Sequence, residues 1–207
     1  MAMPNEKYVS EKGELQWIFI DGEGVKDLNG NLKYKASVRF KVGSPEASAT
    51  QAKIDAFWAS NKPSGADEPK STGFKEEVVK DKETGVKTKT GFMVLEMKTG
   101  VSFQDGKNKV IKIYNSLAKP VSLGTDKIGN GSVGHLSGAI AIYKQPASSG
   151  VTFYLDAVQV KKLVKYEGSV KLAEPEEEGW TGGDEDTGFT QEPTPETPAT
   201  DKPKLKL

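Results

Sequence analysis

KYKASVRFKV, residues 33–42, alternates without a break between an apolar residue and a polar or cationic one. Successive side chains of an extended strand point to opposite faces. Tyr34, Ala36, Val38, Phe40 and Val42 therefore fall on one side, and Lys33, Lys35, Ser37, Arg39 and Lys41 on the other. The stretch reads as a strand with an apolar back set against a core and a cationic front. Positive charges that recur every ~6.6–6.8 Å along a line suit an extended polyanion better than a point-like anion. A solvated outer face of a half-buried strand has the same pattern, and on this stretch alone the two readings stand even.

On its N-terminal side, LQWIFI (residues 15–20) is apolar on both faces apart from Gln16 and reads as a buried strand, closed by Asp21-Gly22-Glu23-Gly24. With the turn residues Asn29-Gly30-Asn31 between them, residues 15–42 read as two antiparallel strands. On its C-terminal side, Ser44-Pro45-Glu46 is a helix start, with a capping hydroxyl, proline at the first helical position and an acid in the first turn. The helix is predicted to run to about residue 60 and to bury Ile54, Phe57 and Trp58, which share one face.

Residues 61–90 are polar and punctuated by Pro63, Gly65, Pro69, Gly73 and Gly85, and read as a long loop with a short hairpin around Glu83-Thr84-Gly85. Strand alternation resumes at Phe92. Met93, Leu95 and Met97 oppose Phe92, Val94, Glu96 and Lys98; beyond the turn Asp105-Gly106, Ile111 and Ile113 oppose Val110, Lys112 and Tyr114. Residues 124–134, rich in glycine, carry neither pattern and read as a mobile connection. Residues 136–145 and 151–166 form a last hairpin, in which Tyr143 points away from Ile140 and Ile142.

The formal net charge of zero hides an asymmetry: residues 1–172 hold 26 Lys+Arg against 19 Asp+Glu, and residues 173–207 hold 3 against 10. A basic body of +7 thus carries an acidic tail of −7, which points to a polyanionic partner for the body. The tail has five of the 11 prolines and no hydrophobic periodicity, so it is expected to be disordered. Arg39 is the only arginine among the 29 cations. Lysine lacks the planar fork that reads base edges, so the balance favours phosphate contact over sequence readout.

Several chemistries lack their residues. The chain has no cysteine, which removes thiolate nucleophiles, disulfides and cysteine-based zinc sites. No apolar run nears the about 18 residues of a membrane span, and the first residues lack the layout of a secretion signal, so the expectation is a soluble, intracellular protein. His135 is the single histidine and reads as an ordinary strand-end residue; no nucleotide-binding glycine loop occurs, and Asp184-Glu185-Asp186 lacks calcium-loop spacing. Asp21 and Glu23 with Asp105 are the only carboxylates that a nuclease could use, without a third ligand. No catalytic residue, metal site or cofactor is expected.

The ingredients of single-stranded nucleic-acid binding are present: a basic groove that follows phosphates, and rings on which bases stack at about 1–3 kcal/mol each. Lys33, Lys35, Arg39 and Lys41 are joined by Lys98, Phe103, Lys107, Lys109, Lys112, Tyr114, Tyr143 and Lys144 on strands or the turns joining them, and these twelve are the expected DNA contacts.

Tyr34-Lys35 in an alternating strand, Lys98 ahead of SFQDGKNK (residues 102–109), Tyr143-Lys144 at the end of a strand, a long closing strand and an acidic tail together resemble the single-stranded-DNA-binding proteins of tailed bacteriophages. The resemblance is best over residues 92–172, weaker over 30–45 and compositional in the tail. It implies an OB-fold, DNA contact at Lys98, Tyr143 and Lys144, and a tail that contacts replication proteins and limits DNA binding. Tails of that family end in an aromatic residue. This chain ends KPKLKL, so such a role would fall to Trp180 or Phe189.

The expected protein is mainly β: an OB-fold-like five-stranded Greek-key barrel with one helix over residues 1–172 and a disordered acidic tail over 173–207. It would bind single-stranded DNA without sequence specificity during phage replication and recombination, in the cytoplasm of a bacterial host. Phage replication proteins would be its partners through the tail, and a homo-oligomer is compatible with this reading. The alternative is a structural or interaction β-module, in a virion or a replication scaffold, whose lysines merely solvate it.

Overall fold

The computed structural model describes residues 5–103, 105–123, 127–145 and 148–166. The expectations for residues 173–207 lie outside the described residues.

Strand β1 is Asn5–Val9, β2 is Gly13–Phe19, β3 is Val25–Lys26 and β4, which holds most of the alternating stretch 33–42, is Leu32–Lys41. Helix α1 (Pro45–Asn61) is followed by β5 (Phe74–Lys80), β6 (Lys87–Gly100), β7 (Lys112–Tyr114), β8 (Val133–Gln145) and β9 (Ser148–Lys162). The sheet order is β5-β6-β4-β2-β8-β9-β7, with β1 on β8 and β3 on β4. Five of these strands, in the order β6-β4-β2-β8-β9, make the expected barrel, because β6 and β9 lie against each other without a shared ladder. This is the mainly β, OB-like Greek-key barrel read from the sequence, partly open and enlarged by four short additions at its edges.

Tyr34, Ala36, Val38 and Phe40 of β4 are buried, as their parity requires, and so are Leu95 and Met97 of the paired β6. Leu136 and Ile140 of β8 and Phe153, Leu155 and Val158 of β9 complete the barrel interior. Each such side chain contributes about 1.5–3 kcal/mol by leaving water. Val42 departs from the expectation: it lies one residue beyond β4 and is exposed, because the chain has left the ladder and turns at Gly43 into the helix.

The helix begins as predicted. Ser44 Oγ accepts from the Ala47 N–H at 3.2 Å, Pro45 follows it, and Ile54, Phe57 and Trp58 are buried. Trp58 donates its Nε1–H to the Asp67 carbonyl at 3.2 Å, which ties the following loop back to the helix.

The reading of residues 61–90 as one loop is overturned beyond residue 73. Phe74–Lys80 and the first part of β6 pair as an antiparallel ribbon, with Val79 opposite Thr88. Only Phe74 of β5 is buried, edge-on to Phe40 at 6.2 Å. The rest stands largely in solvent, so no apolar alternation marks it. The expected turn is present, with Asp81 Oδ1 accepting the Glu83 and Thr84 N–H groups at 3.0 and 2.7 Å.

LQWIFI is likewise not a uniformly buried strand. Leu15 and Gln16 are buried, Ile18 and Ile20 are half-buried, and Trp17 and Phe19 are exposed. The glycine-rich connection is not free where it is described: Ile128 is buried and bridges to Lys165, and Ser132 Oγ accepts from the Val164 N–H at 3.0 Å.

The longest pairing, β8 with β9, carries two register shifts, one between Ser137 and Gly138. A Cβ added at Gly138 would sit 1.8 Å from the Tyr154 carbonyl oxygen, so the close approach of these backbones requires glycine. Gly138→Ala is expected to lower stability by at least about 1–3 kcal/mol, as overpacking in a filled interior does, read as a reduced urea midpoint at unchanged m-value.

Candidate nucleic-acid interface

Residues directly opposite in a ladder share a face, so the pairings of β4 define the outer surface of the barrel row by row. Phe19, Lys35 and Lys98 form one row across β2, β4 and β6; Gln16, Ser37 and Glu96 form the next, followed by Glu14, Arg39 and Val94. The cationic face is therefore interleaved with carboxylates. Lys35 Nζ lies 2.6 Å from Glu96 Oε2, and Lys98 Nζ lies 3.8 Å from Glu96 Oε1. Arg39 pairs with Glu14 at 2.8 Å and Glu77 at 3.7 Å, and its guanidinium stacks 4.3 Å from the centre of the Phe92 ring. The unbroken line of free charge expected along this strand is absent: Lys35 and Arg39 are neutralised by neighbours that lie far away in sequence.

Burial alone would push the Glu96 carboxyl up. The hydrogen bond from Lys35 and the charges of Lys35, Lys98 and Lys75 outweigh it and hold Glu96 below the ordinary glutamate value. It is a carboxylate at neutral pH.

Of the twelve expected contacts, Lys98 and Tyr143 come together. With Glu96, Ser71, Gln145 and Thr152 they line an open cleft of about 300 Å³. Lys98 belongs to β6 and Tyr143 to β8, so the pairing exists only in the folded barrel. Tyr143 lies at the end of the barrel where Gly150 faces it; a Cβ there would meet the phenol at 2.7 Å. Lys98 is half exposed.

Lys35 stands beside Lys98 in its row, and none of the other expected positions lines that cleft. Lys33 and Lys41 stand at the two ends of the β4 face. In the hairpin after β6, the Phe103 N–H donates to the Lys107 carbonyl at 2.8 Å, and Lys107 pairs with Asp105 at 3.1 Å. Phe103 is 54% exposed, whereas Lys109 is largely covered. Its ammonium donates to Thr99 Oγ1 at 2.8 Å, pairs with Asp156 at 3.0 Å and lies 5.8 Å from the Phe103 ring centre. Lys112 lines a separate apolar cleft with Ile111 and Val121, Tyr114 is half-buried in β7, and Lys144 lines a third cleft beside Asp67 and Glu68.

Sequence reasoning missed Glu96 as the neutralising group, and it missed Trp17 and Phe19. Three residues of β2 span what two residues of β4 span between Gln16 and Phe19, a bulge that turns Trp17 outward. Trp17 adopts φ 53°, with its N–H donating to Asn130 Oδ1 at 2.8 Å. A left-handed conformation costs a residue other than glycine about 1–2 kcal/mol, and such strain concentrates where a side chain must be aimed. A bulky aromatic ahead of a polar loop was the available signal, but LQWIFI reads as core until the bulge is seen.

Among the described residues, Asp21, Glu23 and Asp105 do not gather into one metal-holding group. Asp21 pairs with Lys127 at 3.7 Å, and among the described residues no group of three His, Asp or Glu side chains could hold a metal ion. His135 Nδ1 lies 3.0 Å from the Ser10 carbonyl oxygen, inside β8. No described helix is long and apolar enough to cross a membrane.

No protein-family model and no curated protein matches the chain. Solved structures do. Gp2.5, a single-stranded-DNA-binding protein encoded by bacteriophage T7, superposes with a TM-score of 0.57 over 81% of this chain and 98% of its own, at 18% identity. The single-stranded-DNA-binding protein of bacteriophage Enc34, solved in complex with single-stranded DNA, gives 0.55 over 78% and 89%, at 12% identity. Its C-terminally truncated form gives 0.53 at 13% identity. The chain thus has the fold of the phage single-stranded-DNA-binding proteins that its sequence resembles.

Proposed function

We propose that this chain binds single-stranded DNA without sequence preference, as a non-enzymatic protein of phage replication and recombination in the cytoplasm of the host. The observation that carries the reading is the cleft in which Lys98 and Tyr143 meet, on the outer face of a barrel shared with proteins that bind this ligand. A lysine beside a half-buried ring provides one phosphate contact and one stacking platform, the two components of sequence-tolerant single-strand binding. Duplex DNA keeps its bases stacked inside and has none to offer Tyr143.

Glu96 sets the terms of binding. While its carboxylate engages Lys35 and Lys98, those ammonium groups are partly neutralised, and an arriving phosphate has to compete with it. This lowers non-specific attraction to any polyanion and leaves the advantage to a ligand that also stacks. The acidic residues 173–207 act in the same sense from a tether. At roughly millimolar effective concentration such a segment can occupy the basic body, yield to a longer polyanion, and then be free to engage replication proteins.

In gel-shift titrations, affinity is expected to favour single over double strands and to fall steeply with salt. Lys98→Ala should reduce the salt slope by about one, and Tyr143→Ala should weaken binding about 5- to 150-fold while Tyr143→Phe largely retains it. Equal affinity for duplex and single strand would overturn the reading.

Glu96→Gln is expected to tighten single-strand binding and steepen its salt dependence, because Lys35 and Lys98 are released. It should also change acid stability in a definite direction. A carboxylate whose folded pKa is depressed contributes stability that is complete above the unfolded value of 4.5 and is lost as pH falls through the lower folded value. Glu96→Gln should therefore flatten the acid limb of a Tm-against-pH curve below about pH 5. Deleting residues 173–207 should tighten binding most at low ionic strength; unchanged affinity there would remove the tail from the mechanism.

A further inference from the structure

Trp17, Phe19 and Tyr166 surround a cleft of about 270 Å³ at the bulged end of β2, apart from the cleft of Lys98 and Tyr143. All three rings are exposed, at 54, 40 and 53%. Large rings grouped in solvent mark a binding surface more often than chance exposure does. At this size the cleft lies at the small end of ligand-sized cavities, suited to one ring system. Its rim carries Asn130 and Lys127, the latter 59% exposed and 3.7 Å from Asp21.

The two segments that supply the rings are tied to each other through residues 127–130. The Trp17 N–H donates to Asn130 Oδ1 at 2.8 Å, the Gly129 N–H to the Val164 carbonyl at 2.8 Å, and the Tyr166 N–H to the Lys127 carbonyl at 3.0 Å. The rings are thereby held in place before any ligand arrives, which is the condition for a stacking platform of low entropic cost. The cleft is also continuous with the proposed interface. Phe19 opposes Lys35, and Lys35 opposes Lys98, so two strand spacings, about 10 Å, separate the aromatic cleft from the lysine of the other one.

We infer that this aromatic cleft is a second base-binding site, which stacks an unpaired nucleobase of the same DNA strand that crosses Lys35 and Lys98, with Lys127 placed for its phosphate. The inference rests on the proposed single-strand binding and extends the path of the ligand across the sheet, from Tyr143 on β8 to the bulge of β2. It also gives the left-handed Trp17 a purpose: an extended backbone would return the parity of β2 and turn the ring toward the core.

The test is a fluorescence-anisotropy titration of the full chain with oligothymidylate of about 16 nucleotides, the upper end of the span of one OB-fold, at two salt concentrations, with thermal melts in parallel. Trp17→Asn keeps a residue that tolerates the left-handed conformation and should lower affinity about 5- to 150-fold at unchanged salt slope and unchanged Tm. Trp17→Phe should restore most of the loss, and Tyr166→Ala, beyond the last strand, should weaken binding in the same manner. Binding by the wild type together with equal affinity of Trp17→Asn and Tyr166→Ala overturns the second site and leaves the proposed function intact. Equal losses for Trp17→Asn and Trp17→Phe, accompanied by a fall in Tm, also overturn it, since the role would then be structural. A wild type that binds no single-stranded DNA overturns both.

Discussion

A β-strand assigns alternate residues to opposite faces, and in this barrel that constraint links the interior to the proposed ligand face. Tyr34, Ala36, Val38 and Phe40 are buried, so Lys35 and Arg39 have no freedom to face anywhere but the opposite side, where Ser37 between them is covered as well. Sliding β4 by one residue would turn Lys35 and Arg39 into the core and expose four apolar side chains, at about 1.5–3 kcal/mol for each large one. The core therefore fixes the register, and the register fixes which residues of β2 and β6 stand beside each cation. Phe19 and Lys98 flank Lys35, and Glu14 and Val94 flank Arg39, for this reason alone.

That constraint also explains which features were readable in the sequence. β4, the inner faces of β6, β8 and β9, and α1 with its Ser44 cap follow from local periodicity or local chemistry, and their burial agrees with it. β5 was hidden because its ribbon with β6 is wet on both faces beyond Phe74, and a strand without a buried side has no alternation to display. Trp17 was hidden for the opposite reason: one extra residue at the bulge inverts the parity, and the same six letters that spell a buried strand then place two rings outside. In the site, Lys98 and Tyr143 could be named singly from their strands. Their meeting, and the carboxylate between Lys35 and Lys98, depend on contacts across 61 positions for Lys35 with Glu96 and 45 for Lys98 with Tyr143, which no local pattern carries.

Charge on this face is consequently not what composition suggests. A body of +7 would attract any polyanion, yet Arg39, Lys35 and Lys109 each have a carboxylate within 3.0 Å. Ion pairs that remain in partial contact with solvent contribute modestly to stability, about 0–1 kcal/mol at the exposed limit, so stability alone does not account for them. They reduce the long-range field of the cations while leaving each cation in place, and on the proposed function a phosphate arriving with a stacked base would exchange for the carboxylate at small net cost.

Such an exchange divides labour between the two kinds of contact. Lysines without a planar fork set position and salt dependence but read no base; rings accept every base because each has a π-face. On the proposed function, selectivity for single strands would come from geometry: the rings must be held rigidly enough, and far enough apart, that only a strand with its bases free can reach more than one. The β8–β9 hairpin fixes Tyr143 and the bulge of β2 with Asn130 fixes Trp17, so both proposed platforms are carried by the sheet and not by a free loop. A duplex approaching the same surface would meet the lysines already partnered by Glu96 and Asp21 and no base available to stack, which leaves it with the weakest of the interactions on offer.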